Sequence, residues 1–433
     1  MGLLTKRSDD RSVVLTPLRD FLRTEAAGGV ALLVAAAVAL VWANSPWQDS
    51  YVELWDTVLS IELGDWGISL DLQEWINEGL MAIFFFVVGL EIKRELVDGD
   101  LREPRRAALP AIAAAGGMIV PALLFLAVNA SGDGSSGWAI PMATDIAIAV
   151  GVVSLLGARV APSLKVFLLT LAIVDDIGAI AVIAIVYPDD LDAGAIAVAA
   201  ALVIVVIAAR RLQVQSVLLI TAVGAALWLA LQESGIHATL TGVFLGLMTP
   251  SRPLRQHDLI DADELTDLSS VEAAHRTMVI ARQSVSVVEW LEHVLHPWTS
   301  FVIVPLFALA NAGVPVTGGA LTDSLSSPIT YGIVVGLVVG KPVGIVLFAW
   351  VAVRLGLGEL PVGGSWRGIA GIGAVAGIGF TVSLFVTGLA FDDVALQDEA
   401  KIGILLASTI AAIVGSAVLR RRERPPSRGR TVS

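Results

Sequence analysis

The sequence predicts an all-α polytopic membrane protein with twelve transmembrane helices, two broken helices (spans 4 and 11) and two inverted three-helix repeats. Three observations lead there. Of 433 residues, 56% are hydrophobic and only 16% are charged, against about 25% charged in soluble domains; the mean hydropathy is +0.80. Apolar blocks approaching the ~20 residues that cross a bilayer recur along the whole chain. When those blocks are threaded alternately, every Lys and Arg except Lys341 and Lys401 falls on one side. Basic loops stay in the cytoplasm, so both termini are expected there. The absence of cysteine excludes disulfides, Cys-ligated zinc and thiol chemistry.

Residues 1–25 carry Lys6, Arg7, Arg11, Arg19 and Arg23 and read as a cytoplasmic leader. Span 1 is Ala26–Trp42; its apolar block is longer than a signal-peptide core and lacks a small-residue cleavage site. Residues 46–75 contain no Lys or Arg. Within them, Ser60–Leu70 alternates around Gly64-Asp65-Trp66-Gly67, which fits a β-hairpin or an irregular external loop equally. Span 2 (Ile76–Leu90) runs into the charged segment Glu91–Asp100, followed by spans 3 (Ala107–Val128), 4 (Trp138–Leu156) and 5 (Leu164–Tyr187). In span 4, Pro141 removes a helix hydrogen bond just before Thr144 and Asp145. Spans 6 (Ala193–Ala209), 7 (Val217–Leu231) and 8 (Ile236–Met248) are plain apolar blocks apart from His237.

Residues 249–296 are expected as one long cytoplasmic loop. Its second half has helical spacing of apolar residues from Val271 to Leu295, interrupted by Glu292, and predicts a helix at the membrane surface or against the bundle. Spans 9 (Trp298–Val314), 10 (Ile329–Val353, with Lys341 at its middle), 11 (Ile369–Phe391, rich in glycine) and 12 (Ile402–Leu419) follow, then a basic cytoplasmic tail, residues 420–433.

The chemistry gathers in Leu169–Ile185, where Asp175 and Asp176 stand side by side in an apolar run. One ionised carboxylate at the bilayer centre costs ~2.5–3.5 kcal/mol on insertion scales, and such residues usually mark ion or proton paths. Asp145, Asp175, Asp176 and Lys341 are the deep ionisable groups, with a negative excess that suits a cation. Successive helix residues point about 100° apart, so one aspartate can pair with Lys341 while the other faces the cation. Carboxylate, Thr144 hydroxyl and backbone oxygens are hard ligands suited to sodium or lithium. Spans 3–5 and 10–12 each carry a broken helix in the middle, and an odd number of spans gives the two runs opposite topology, a pointer to a transport site.

At these residues the sequence resembles the bacterial NhaA-type sodium/proton antiporters, a family that is itself a type example of inverted repeats. The resemblance rests on FFFVVGLEIKREL (84–96), PMATDIAIAVGVVSLLG (141–157), FLLTLAIVDDIGAIAVIAI (167–185), SGIHATLTGV (234–243), LEHVLHPW (291–298), PLFALANAGV (305–314), GKPVGI (340–345) and GIGFTVSLF (377–385). It implies an electrogenic exchanger of the inner membrane that expels Na⁺ or Li⁺ and takes up protons, in the service of sodium and pH homeostasis. It implies that Asp176 binds cation and proton, that Asp175 pairs with Lys341, and that Asp145 and Thr144 lie where broken helices cross. Asp145 and Lys341 have the signs that compensate the two kinds of helix end. Glu91, Glu95, Glu292, His293 and His296 match a cytoplasmic cluster associated with pH activation, and His237 a further pH-linked position. The hairpin at 60–70 corresponds in placement to a dimer-forming hairpin. No cofactor and no nucleic-acid partner are expected; membrane lipid is.

Blander readings stand beside these. Lys341 can serve only as a structural ion-pair partner, His237 as an interfacial hydrogen-bonding residue, and Glu91 and Glu95 as solvated partners of Lys93 and Arg94. Asn311 is most simply interhelical hydrogen-bond glue. An intramembrane aspartyl protease is a poor fit, because Gly377-Ile378-Gly379 is followed by Phe380 rather than Asp. A passive cation channel is the alternative to exchange.

Overall fold

The computed structural model describes residues 10–64, 66–130, 132–188, 191–212, 217–251, 286–316 and 318–420. The start of the expected leader (1–9), most of the expected 249–296 loop (252–285) and nearly all of the basic tail (421–433) lie outside the described residues.

The first described element is α1 (Asp10–Ala43), a single helix whose membrane-crossing part is Thr24–Ala43. A short helix α2 (Gln48–Trp55) leads into the antiparallel strands β1 (Val58–Leu63) and β2 (Trp66–Asp71). Gly64 turns between them at φ 65°, the left-handed region that a two-residue hairpin loop demands. The Ser60 and Ser69 hydroxyls meet across the strands at 2.9 Å.

The remaining helices are α3 (Leu72–Val97), α4 (Pro104–Asn129), α5 (Asp133–Met142, a 3-10 helix), α6 (Ile146–Leu155), α7 (Pro162–Val186), α8 (Ala193–Arg211), α9 (Val217–Gln232) and α10 (Leu240–Met248). They continue as α11 (Val287–Asn311), α12 (Gly318–Ser326), α13 (Pro328–Arg354), α14 (Trp366–Ala376), α15 (Phe380–Ala390) and α16 (Val394–Arg420). Among the described residues, eight helices are long and apolar enough to cross a membrane. The bent pairs α5–α6 (43°) and α14–α15 (48°) raise the number to ten. The helices at expected spans 7 and 8 are shorter; α10 has nine residues. This is a multi-pass membrane architecture.

One expected boundary is corrected. The loop assigned to residues 249–296 ends at Ser286, whose hydroxyl accepts from Glu289 N at 3.1 Å and starts α11. Residues 287–296 therefore belong to the same helix as span 9. Pro297 does not break it, because the next turn, Thr299–Ile303, widens to π-type hydrogen bonding. Similar widened turns occur at Trp75–Leu80 in α3 and Gly336–Gly340 in α13.

The chain divides into two compact units. The first comprises residues up to Leu33, Arg105–Ala179 and everything from Val314 onward; the second comprises Val34–Pro104 and Ile180–Gly313. In the second unit α3 and α10 pack in parallel through Gly89, Gly242 and Gly246: a Cβ on Gly89 would stand 2.7 Å from Val243 O. Reciprocal amide bonds also join Asn77 and Asn311 there, Asn311 Nδ2 donating to Asn77 Oδ1 at 2.8 Å and Asn77 Nδ2 donating back at 3.3 Å. In the first unit α4 and α13 meet at Gly116 and Gly344, where a Cβ on either would strike the other's carbonyl oxygen. Gly344→Ala should therefore lower stability by about 1–3 kcal/mol, the usual cost of overpacking. Gly388→Ala, with nothing near the added methyl, should be neutral. Thermal melts in detergent compare the two, and equal melting temperatures would remove the tight crossing.

Candidate functional site

In the first unit the two bent pairs meet at their breaks. Ala143, Thr144 and Asp145 leave α5 as extended chain, since Pro141 and the turn's end release the backbone. Asp145 N donates to Ile378 O, in the other break, at 2.6 Å. The Asp145 carboxylate caps two helices. Its Oδ1 accepts from Ile148 N of α6 at 3.0 Å, and its Oδ2 accepts from Thr381 N of α15 at 3.0 Å and from the Thr381 hydroxyl at 2.7 Å. Both are helix amino-terminal ends, where partial positive charge favours an anion.

The opposite helix ends meet opposite chemistry. The Lys341 ammonium donates to Met142 O at the end of α5 and stands 3.0 Å from Asp175 Oδ2. The Thr144 hydroxyl lies 2.7 Å from the same Asp175 oxygen and 3.0 Å from Ala376 O at the end of α14. Ser383 Oγ donates to Ile140 O at 2.7 Å. Lys341 and Asp175 are both 0% exposed, so the two side chains face each other out of reach of bulk solvent. Asp175 Oδ1 has no hydrogen-bond partner among the described residues. Asp176 is 8% exposed, next along α7 and within electrostatic range of Lys341. The unit thus brings together all five residues expected deep in the membrane: Thr144, Asp145, Asp175, Asp176 and Lys341.

The residues expected at a pH-linked cluster are all in the second unit, at two places. Glu292, buried on α11, forms an ion pair with Arg94 of α3. His296 lies one turn further along α11 and is also buried, whereas His293 is exposed. Glu91 and Glu95 are on the same helix as Arg94; Glu95 Oε2 accepts from Asp100 N at 3.0 Å and closes the turn after α3. His237 is elsewhere: its Nδ1 is 4.0 Å from Glu78 Oε1. From Glu78 to Arg94 is roughly 24 Å of helix, so the two groups are separate.

Three partners were not singled out in the sequence. Thr381 was visible as the hydroxyl residue in the first turn after the Gly377–Gly379 break. Glu78 carried no signal beyond being acidic in an apolar helix. Glu25 is 6% exposed; with Gly29 and Leu32 it forms a buried i, i+4, i+7 stripe on α1, a pattern hidden by counting it with the charged leader.

Comparison with known proteins gives the family. The sequence model of the Na+/H+ antiporter 1 family matches residues 19–419. The chain is 44% identical to Na(+)/H(+) antiporter NhaA 2 of Syntrophotalea carbinolica, over 94% of this chain and 96% of that protein. It is 47% identical to Na(+)/H(+) antiporter NhaA of Rhodopirellula baltica over 94% of each. It is 45% identical to Na(+)/H(+) antiporter NhaA of Cupriavidus necator over 92% of this chain and 88% of that one. A match of this extent, on a multi-pass helical chain with two bent helix pairs around buried aspartates, means that the protein belongs to the NhaA-type Na⁺/H⁺ antiporter family.

Proposed function

We propose that the protein is an electrogenic secondary antiporter that expels Na⁺ or Li⁺ from a bacterial cytoplasm in exchange for protons. The observation that carries this reading is the fully buried Asp175–Lys341 pair with Asp176 beside it at the meeting of two broken helices. A buried carboxylate oxygen without a hydrogen-bond partner among the described residues, Asp175 Oδ1, is an available hard ligand. Among the described residues no three His, Asp or Glu side chains converge on one point, so a cation held by Asp176 and Asp175 completes its shell with the Thr144 hydroxyl, backbone carbonyls or water.

Sodium and protons compete for the same oxygens, and exchange follows if only a loaded site changes its access. Electrogenic exchange needs more protons than cations per cycle, and two carboxylates beside an ammonium have the capacity for it. Counting α9 and α10 as short spans gives twelve crossings, with both termini cytoplasmic by the distribution of Lys and Arg. The α4–α7 and α13–α16 segments then form the two inverted repeats, each with its bent pair in the middle. The Arg94–Glu292 pair with Glu91, Glu95, His293 and His296 is the candidate for pH activation, with His237 a second, separate one. The β1–β2 hairpin is the candidate contact for a homodimer in the lipid bilayer.

The test is proton movement. Na⁺ or Li⁺ added to acid-loaded everted vesicles containing the protein should raise the internal pH, and K⁺ should do little. Sodium flux without proton movement would replace the exchanger with a passive channel.

A further inference from the structure

Glu25 takes no part in the mechanism above, although it is a buried carboxylate in the same unit as the central aspartates. Its place is fixed by two close approaches between α1 and α6. A Cβ on Gly29 would stand 2.8 Å from Ala147 O, and one on Gly151 would stand 3.6 Å from Ala26 Cα. As α1 runs forward from residue 26 to 29, the facing position on α6 runs back from 151 to 147, so the helices are antiparallel. Glu25 is consequently level with α6 just beyond Gly151, six residues or more from Asp145. At 1.5 Å per residue that is roughly 9 Å along the helix. The two carboxylates are in electrostatic range of each other.

Glu25 is the second residue of the apolar stretch Thr24–Ala43, at the membrane boundary, yet it is only 6% exposed, and burying a carboxylate costs more than burying a small or apolar side chain. Gly29 and Leu32 on the same stripe show what packing alone selects there. Glu25 lies on the amino-terminal side of the crossing, offset along the membrane normal from Asp145, so it adds negative potential on one side only. A cation coming from that side meets Glu25 before the central cluster; one coming from the other side does not.

We infer that Glu25 is a further acidic residue of the transport route, a positioning carboxylate that draws Na⁺ toward the central aspartates from the amino-terminal face of the membrane. The inference rests on the exchanger reading and adds a sidedness that the central residues alone do not supply.

The experiment uses the full chain in proteoliposomes, with orientation fixed by protease access to an amino-terminal tag. Half-saturating Na⁺ for proton movement is measured with Na⁺ added at one face and then at the other. Glu25→Gln should raise it about fivefold at the amino-terminal face, the scale of one partly screened charge at this separation, and less than about twofold at the other. Glu25→Asp, which keeps the charge, should lie between parent and Gln variant. A merely structural residue would shift both faces alike and lower the melting temperature. Equal shifts at the two faces, or none, would overturn the inference while leaving exchange intact. A parent protein that moves no protons in response to Na⁺ would overturn both. If Glu25→Gln is not recovered folded, Glu25→Ala, which also removes the charge, is read in its place: a rise confined to the amino-terminal face supports the inference and a symmetric or absent one overturns it.

Discussion

Asp176→Asn should abolish both Na⁺ binding and exchange while leaving the fold intact. The substitution keeps the shape of the side chain and removes the charge and the titrating oxygen together. A cation–carboxylate contact near 4 Å is worth ~4 kcal/mol at an effective dielectric of 20, about a thousandfold in affinity. Asn offers a neutral carbonyl oxygen instead, and it cannot release a proton to make room for a cation. Asp176→Glu keeps the charge on a longer arm and should retain residual exchange with weaker apparent affinity. In the parent, proton and cation are rivals for the same oxygens. Where they compete one for one, each unit fall in pH should raise half-saturating Na⁺ about tenfold, so affinity drops as pH drops. Titration of Na⁺ binding by calorimetry at several pH values checks both statements. Binding by the Asn variant, or an affinity that ignores pH through the active range, would exclude direct competition at this residue.

Lys341→Ala should cost more stability than Gly344→Ala. The ammonium is 0% exposed, donates to Met142 O and stands 3.0 Å from Asp175 Oδ2. Removing it strands a carboxylate and a helix-end carbonyl together in a fully buried site. Breaking a buried pair from one side typically costs about 3–5 kcal/mol. Lys341→Arg keeps the charge in a bulkier fork and should retain part of the activity. The informative variant is the double one. Asp175→Asn in the Lys341→Ala background removes the stranded charge and should recover part of the lost stability, since the two residues are coupled. Detergent melts of the four proteins form a complete cycle. Additive losses would mean that the pair contributes nothing as a pair, and Lys341 would then have no compensating role.

Much of this arrangement was legible in the sequence because hydrophobic runs, prolines and glycines act locally. Pro141 marks the end of α5, and the Gly377–Gly379 stretch marks the break between α14 and α15, since each removes a backbone preference within a residue or two. The alternation around Gly64 left the strand pair level with an irregular loop, and the cross-strand pairing decides for the strands. What the sequence did not display is where an apolar run stops being the measure of a helix. The sequence predicts a helix through residues 287–295 but groups it with the loop, and Glu292 interrupts its apolar stripe. The burial of Glu292 is matched by Arg94, roughly 200 positions earlier in the chain, and a distant partner leaves no trace in local spacing. Glu25 was lost in the same way, because its charge groups it with a basic leader whereas its register puts it on a buried face. The double cap by Asp145 was half legible: the Asp before an apolar helix is an ordinary capping signal, but its second helix, through Thr381, is a tertiary fact.

The widened turn at Gly336–Gly340 has a consequence for chain length rather than composition. A π-type turn accommodates one more residue than a regular turn, and it lies immediately before Lys341. Loss of a single residue there, Val338 for example, would let the helix close as a regular turn. The wide turn has already absorbed that residue, so every later side chain would keep its direction and Lys341 would still face Asp175 and Met142. A one-residue loss further on, in the regular turns of Lys341–Arg354, has no such slack and would rotate all that follows by about 100°. The glycines that bound the wide turn are less forgiving than its length: a Cβ on Gly336 would stand 2.8 Å from Pro141 and one on Gly340 2.9 Å from Pro121. The segment is slack in the length of the helix, set just before the ammonium whose direction matters most.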